Sequence, residues 1–295
     1  MTAAVTLRSG AEILAAPLPP LLAEAEHLAA TVILGDHGRR RAGMGDTFWQ
    51  YRPAMAGDPA RSIDWRRSAR SDATFVQDKE WQIAQSVVVW VDPSASLRFA
   101  SDKALPTKAA RARLLALACA ILLIRGGERV GLTGHGIAGH SLPPGRGQVQ
   151  IARLAAQLLH DDTGEYAAPD TEGLPPQARA LFLSDFLGDI APVESALARA
   201  ADRGIRGALV QILDPQEEAF PFDGRTIFES IAGTLRHETL KAGDLRDRYL
   251  ARLAERKDRL AQLARASGWH AHVHHTAAPA PAALLWLYGA LERRA

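Results

Sequence analysis

The 295-residue chain has a single cysteine, Cys119, set in the middle of an apolar run. No disulfide can form within it, and a lone thiol among apolar neighbours reads as a core residue rather than a nucleophile. That agrees with a reducing compartment, so a cytoplasmic location is the expectation. Long hydrophobic runs are missing too. The longest, Leu114 to Ile124, falls far short of the roughly 20 residues that a membrane-spanning helix needs, and Ala277 to Leu291 is broken by Pro279, Pro281 and Gly289. No secretory signal is expected, because no basic region leads into an apolar core at the start. Docking on a membrane-bound partner is compatible with all of this. An excess of one charge is absent as well: the net charge is +2, so no global field selects nucleic acid or membrane. Neither G-x-S-x-G nor G-x-x-x-x-G-K-[ST] occurs, which removes a serine elbow and a phosphate-cradling loop of that type.

What is present falls into four stretches. Residues 1–34 form an N-terminal arm with a strand-like opening, a break at Pro17, Pro19 and Pro20, and an amphipathic helix over Leu21 to Leu34. Residues 35–85 are a segment rich in arginine and aromatics. Eight arginines (Arg39, Arg40, Arg41, Arg52, Arg61, Arg66, Arg67, Arg70) face four aspartates (Asp36, Asp46, Asp58, Asp64). From 86 to 276 the pattern is α/β, with an insertion over about 214–243. Residues 277–295 read as a C-terminal helix.

In the third stretch, strands at Val87–Val91, Arg129–Thr133, Arg179–Phe186, Ala208–Leu213 and Trp269–His275 alternate with helices at Thr107–Ile124, Gln148–His160, Ala191–Arg203 and Asp244–Ser267. The first half of the Thr107 helix is read as exposing Lys108, Arg111 and Arg113. A further strand, Ile137–Leu142, pairs back on Arg129–Thr133 as an antiparallel edge hairpin, and Pro143–Gly147 reads as a loop. The fold class is α/β: a mainly parallel central sheet with helices on both faces, preceded by a smaller β-rich N-terminal segment.

The stretch Ser86–Ser96, SVVVWVDPSAS, is the one most suggestive of function. A buried strand delivers Asp92, Ser94 and Ser96 to its carboxyl end, where ligands bind in such sheets. A carboxylate and two hydroxyls suit Mg²⁺, which prefers oxygen donors. Asp185 ends another buried strand and adds a second acid. The plainer reading is a helix cap, since Ser and Asp at strand-to-helix turns satisfy backbone N–H groups.

Other candidates are weaker. Gly134–Gly139 spells G-x-G-x-x-G, but prolines follow in place of a helix start, so a hairpin is preferred to a dinucleotide site. His270, His272 and His274 alternate on one strand about 6.6 Å apart, too far to close one tetrahedron, and read as solvent-facing. Asp92 as a phosphoryl acceptor, in a Mg²⁺-dependent phosphatase or hydrolase using Asp92 and Asp185, lacks the usual second acid two residues on, because Ser94 stands there. The basic segment 39–70 could stack single-stranded nucleic acid. Internal pairing among Asp58, Arg61 and Asp64 is preferred, and no nucleic acid is expected as partner.

Two blocks carry a resemblance to a known family. One runs Gly45-Asp46-Thr47-Phe48, Tyr51-Arg52, Gly57-Asp58-Pro59-Ala60-Arg61-Ser62-Ile63-Asp64-Trp65 and Ser68-Ala69-Arg70. The other is Val91-Asp92-Pro93-Ser94-Ala95-Ser96, with Leu183-Ser184-Asp185-Phe186 later. Over positions 35–240 the chain resembles the domain-of-unknown-function 58 family, which is similar to von Willebrand factor A domains. The resemblance implies a metal-ion-dependent adhesion site with Mg²⁺ at Asp92, Ser94, Ser96 and Asp185, open to an acidic residue of a partner. It also implies a non-enzymatic adaptor working with a MoxR-type AAA+ ATPase in protein assembly or remodelling. In one respect the chain departs from that pattern: Pro143–Gly147 offers no hydroxyl where such domains usually add a threonine.

Overall fold

The computed structural model describes residues 18–32, 39–43, 47–55, 58–70, 73–83, 85–134, 141–161, 164–171, 173–231, 233 and 236–292. The strand-like opening, the G-x-G-x-x-G stretch beyond Gly134 and most of the Ile137–Leu142 strand lie outside them. The chain divides into two units, residues 1–35 with 86–295, and residues 36–85.

The smaller unit is an antiparallel sheet of β1 (Arg39–Gly43), β2 (Thr47–Pro53) and β3 (Phe75–Ile83), in the order β1-β3-β2. A short helix, α2 (Trp65–Ser68), is capped by Asp64, whose side chain accepts from the Arg67 N–H. Arg52 grips Asp58 with two hydrogen bonds of 2.7 and 2.6 Å, and Tyr51 donates to Asp64. The Arg67 guanidinium lies 4.3 Å from the Tyr51 ring centre. Arginines and aromatics here hold the segment's own turn together.

The larger unit is built on a six-stranded sheet. Its strands are β4 (Ser86–Val91), β5 (Arg129–Leu132), β6 (Leu142–Gly145), β7 (Arg179–Ser184), β8 (Arg206–Leu213) and β11 (His270–His275), in the order β11-β8-β7-β4-β5-β6. All neighbours are parallel except β6, which runs antiparallel to β5 at the edge. The expected loop at Pro143–Gly147 is therefore mostly strand. Prolines lack the ladder N–H, and an edge strand is where a sheet tolerates that.

Helices are α1 (Leu18–Ala30), α3 (Lys108–Arg125), α4 (Gly147–Leu158), α5 (Ala191–Asp202), α6 (Pro215–Ala219), α7 (Arg246–Ala266) and α8 (Ala280–Glu292). Alternation along each strand splits the core into two layers. Val87, Val89, Val91, Leu181, Leu183 and Ile212 pack with α1, α3, α4 and α8. Val88, Trp90, Phe182 and Leu209 pack with α5 and α7. The hairpin of β9 (Thr226–Glu229) and β10 (Arg236–Thr239) is a separate two-stranded sheet.

Helix α3 is apolar on nearly all sides and has 14 of its 18 residues buried. Such a helix belongs at the centre of a core. Thr107 caps it by accepting from the Ala110 N–H. The expected exposure of its basic half is corrected. Lys108 is 1% exposed, Arg111 donates to the Thr276 carbonyl at 2.8 Å, and Arg113 pairs with Asp161. A helix buried this deeply carries its first turn under the surface with it.

Two histidines of β11, His272 and His274, are likewise not solvent-facing. His272 stacks on Trp286 with ring centres 4.6 Å apart, and His274 is buried with Nε2 unpartnered. Helix α8 covers that face because its own apolar residues need a partner surface. Burial pushes His274 down to about 4, with Arg111, His272 and His275 adding to the effect.

Candidate functional site

The carboxyl ends of β4, β7 and β8 bring Asp92, Asp185 and Asp214 to one edge of the sheet. Asp92 follows β4 directly. Its Oδ1 accepts from the Ser94 N–H at 2.8 Å, and its Oδ2 accepts from the Ser184 hydroxyl at 2.6 Å. The Ser94 and Ser96 hydroxyls lie 3.2 Å apart. All three residues of the D-x-S-x-S stretch are buried. Burial pushes the Asp92 carboxyl up to about 6; the Ser184 and Ser94 hydrogen bonds oppose this, and the charge of Asp185 adds to it.

Asp185 lies at the end of the neighbouring strand, with its own partners. Its Oδ1 accepts from the Leu187 N–H at 3.1 Å, and its Oδ2 takes the Lys108 ammonium at 2.8 Å. The same ammonium reaches Glu217 Oε1 at 2.6 Å. Glu217 Oε2 accepts from the Asp214 N–H, while Asp214 accepts from the N–H groups of Gln216 and Ser101. One capping box on a five-residue helix thus ties α6 to the first residue of α3. Burial alone would depress the lysine; Asp185 and Glu217 outweigh it, and the Lys108 pKa is raised. Glu217 is pushed up by burial against the pull of the ammonium.

Fit to a divalent ion can be judged from these donors. Asp92, Ser94 and Ser96 lie in one buried turn and offer three oxygen donors. The fourth expected ligand, Asp185, has already been given a cation by the chain itself. Among the described residues, no group of three or more His, Cys, Asp and Glu side chains is placed to hold a metal. The fit is therefore to three oxygens, with the second carboxylate committed to Lys108.

Lys108, Ser184, Glu217 and Asp214 were not among the site residues expected from sequence. Ser184 was within reach, since it precedes Asp185 on a buried strand. For Lys108 the signal was position: it is the first residue of a helix too apolar to be a surface element. Beside the network opens a cavity of about 270 Å³. Its floor includes Lys108 and Asp185, and its walls include Tyr166, Tyr249, Phe220 and Phe228. Tyr166 is positioned by the 164–165 backbone, whose carbonyls accept from the N–H groups of Ala95 and Ser96. Gly188 makes room for it: a Cβ there would come within 2.7 Å of the Tyr166 Cβ.

A mainly parallel sheet covered on both faces, with an acid-and-hydroxyl turn at the end of one of its inner strands, makes this an α/β protein. The family model described as "Protein of unknown function DUF58" matches residues 50–259, well over half of the chain. The chain belongs to that family. No curated protein matches it.

Three solved structures show limited similarity. The conserved hypothetical protein BatB from Bacteroides thetaiotaomicron aligns at 14% identity and a TM-score of 0.36, over 68% of this chain and 96% of that one. An aerotolerance-related membrane protein from Bacteroides fragilis NCTC 9343, carrying multiple mutations to serines, aligns at 12% identity and 0.37, over 70% and 98%. An uncharacterised membrane-spanning protein from Vibrio fischeri aligns at 18% identity and 0.21, over 71% and 98%. Among the described residues of this chain, no helix is long and apolar enough to cross a membrane.

Proposed function

We propose that the chain is a non-enzymatic protein-interaction module, an adaptor that presents the carboxyl end of its parallel sheet to other proteins in the cytoplasm. The supporting observation is the closed network at that edge. Asp92, Asp185, Asp214 and Glu217 each hold a neighbouring group of the chain, and Lys108 is enclosed between two of them. A lattice of mutually satisfied groups gives a fixed surface rather than a nucleophile held beside a base. The family resemblance supplies the partner in this reading, a MoxR-type AAA+ ATPase acting in protein assembly or remodelling.

Affinity purification from the native cell, followed by mass spectrometry and reconstitution of the pair from pure components, tests it. The expected result is a stoichiometric complex with such an ATPase. No retained protein, together with Mg²⁺-dependent turnover of phosphoesters that Asp92→Asn abolishes, would replace this reading with a hydrolase.

The convergence of Asp92, Ser94 and Ser96 favours a second reading of the same place, an adhesion-type Mg²⁺ site. Asp185 would then have to exchange Lys108 for the ion. Calorimetry at millimolar Mg²⁺ distinguishes the two: heat in the wild type that Asp92→Ala loses would establish the metal, and no heat in either leaves Lys108 as the cation.

A further inference from the structure

A second cleft, of about 410 Å³, lies between the insertion and α7. The insertion leaves the carboxyl end of β8 through α6 and returns into α7. The floor of the cleft is aromatic. Phe220 and Phe228 are stacked with ring centres 5.7 Å apart, and Tyr249 lies 4.9 Å from Phe220. Its rim carries two guanidiniums, Arg248 and Arg252 of α7, and the His237 ring of β10. Among the described residues, no acidic side chain lines it. We infer that this cleft binds an exposed segment of a partner protein, through an aromatic residue with an acidic residue beside it. The inference rests on the interaction-module reading and gives it a second contact surface, independent of Asp92 and of any metal.

Three observations carry it. First, the two guanidiniums are uncommitted. Among the described residues, neither Arg248 nor Arg252 has a hydrogen bond or ion pair from its side chain, and both are exposed. The acids a turn away on the chain, Asp244 and Glu255, do not pair with them. Other nearby carboxylates have cations of their own. Glu238 pairs with Arg225 at 2.7 Å, Glu229 stands opposite Arg236 in the hairpin, and Glu218 pairs with Lys257. The hairpin's connection, residues 230–235, has no acid in its sequence. Second, Arg248 and Arg252 are four residues apart, so two like charges stand side by side on one helix face. An anion between them relieves that repulsion. Third, rim and floor select together. An apolar floor alone takes any apolar group, and a basic rim alone takes any anion. A guanidinium plane stacks on an aromatic ring and bonds a carboxylate through its fork, so the pair favours a ring with a carboxylate next to it. The volume lies within the roughly 300–1,000 Å³ usual for binding clefts, room for a ring and its flanking groups.

The floor is in place before anything binds. Phe220 closes α6 with φ 41° and is buried. A left-handed conformation is unfavourable for a bulky residue and persists only where the surroundings enforce it. Arg246 helps by donating from Nε to the Phe220 carbonyl at 3.0 Å. Phe222 meets Phe220 and Phe228 edge-on, at 5.3 Å from each. His237 and Phe228 are opposite one another across the hairpin and so share one of its faces. Leu245, Arg248, Tyr249 and Arg252 follow the three-and-four spacing of a single helix face. A preformed cleft spares an entering segment the cost of ordering it. That assigns the insertion a role that the sheet does not need for its own stability.

The test uses the full chain, ¹⁵N-labelled, titrated at low salt with three blocked tripeptides: Glu-Phe-Glu, Glu-Ala-Glu and Lys-Phe-Lys. EDTA is present, so an acidic residue held through Mg²⁺ at Asp92 contributes nothing. Expected is saturable movement of the amide peaks of residues 228, 237 and 245–252 with Glu-Phe-Glu, and binding several-fold weaker for the other two. Arg248→Glu combined with Arg252→Glu, both on the exposed side of α7, should leave the rest of the spectrum in place. That variant should lose Glu-Phe-Glu and take Lys-Phe-Lys instead. No movement with Glu-Phe-Glu, equal binding of either control by the wild type, or Glu-Phe-Glu binding indifferent to the double substitution overturns the inference. Phenylacetate binding as tightly as Glu-Phe-Glu would give the cleft to a small molecule and overturn it too. The interaction-module reading fails separately, only if the wild-type chain retains no protein partner. A partner held equally well by the doubly substituted chain preserves that reading and sinks this one.

Discussion

Arg52 and Asp58 in the smaller unit meet at 2.6 Å with their side chains 29% and 15% exposed. Lys108 and Asp185 in the larger unit meet at 2.8 Å with theirs 2% and 1% exposed. The distances are nearly equal, yet the energetics are not. A pair in reach of water gains little, because solvent already stabilises each charge. Neither charge of a buried pair can be removed singly, because the survivor is left desolvated and uncompensated. Arginine-rich sequence drew attention to the segment of the first pair, where internal pairing was expected of Asp58 with Arg61 and Asp64 and the structure gives Asp58 to Arg52. The single lysine that matters most lies where the sequence shows only one basic residue opening an apolar helix.

The largest effect should follow Lys108→Met. It strands two acids, and unfolding in denaturant should show a loss of about 3–5 kcal/mol. Adding Asp185→Asn and Glu217→Gln should restore most of it, since a neutral network has no charge left to compensate; no restoration would mean that the lysine stem, not its charge, holds the site. The pH dependence has a defined sign. The Lys108 pKa is raised in the fold, so its contribution is fully present below the ordinary lysine value and is lost as pH rises through the higher folded one.

His274 is next. It titrates near 4 in the fold and near 6.5 in the unfolded chain, so stability should fall by up to about 3 kcal/mol as pH drops from 6.5 toward 4. Thermal melts of His274→Leu against wild type at pH 7 and pH 4.5 check this: the variant should lose less on acidification. An equal loss in both would assign acid sensitivity elsewhere.

Arg52→Ala should leave the melting midpoint nearly unchanged, and added salt should erase what difference there is. Its effect should show in titration instead. The Arg52 hydrogen bonds and the Met55 N–H hold Asp58 down at about 2. NMR titration of the variant should find it moved toward the ordinary carboxylate value. A large stability loss on Arg52→Ala would break the contrast between the two units.

Much of the fold was legible. Strands buried on both faces read as short, largely apolar runs. Asp92 and Asp185 were found because a parallel sheet puts its strand ends on one side. Lys108 and His274 were misread as exposed because hydrophobic periodicity assigns polar residues to the solvent side. Only the seating of the start of α3 between Asp185 and Glu217, and the packing of α8 against β11, reverses that. Glu217 matters through its ion pair with Lys108, a residue 109 positions away, while its capping box with Asp214 only holds it in place. The edge strand at Leu142–Gly145 was hidden by Pro143 and Pro144, which suit a loop as well as a sheet margin.

The lone thiol has a use that follows from its place. Cys119 sits at the centre of α3, wholly buried, its thiol pushed up to about 12 by that burial. No reagent in solution can reach it while the helix is seated, and fraying at the helix ends leaves it covered. Its labelling rate is therefore a clock for the opening of the whole core. The helix that hides Cys119 also carries Lys108, so the same clock reports how firmly anything bound at the strand ends holds the molecule shut.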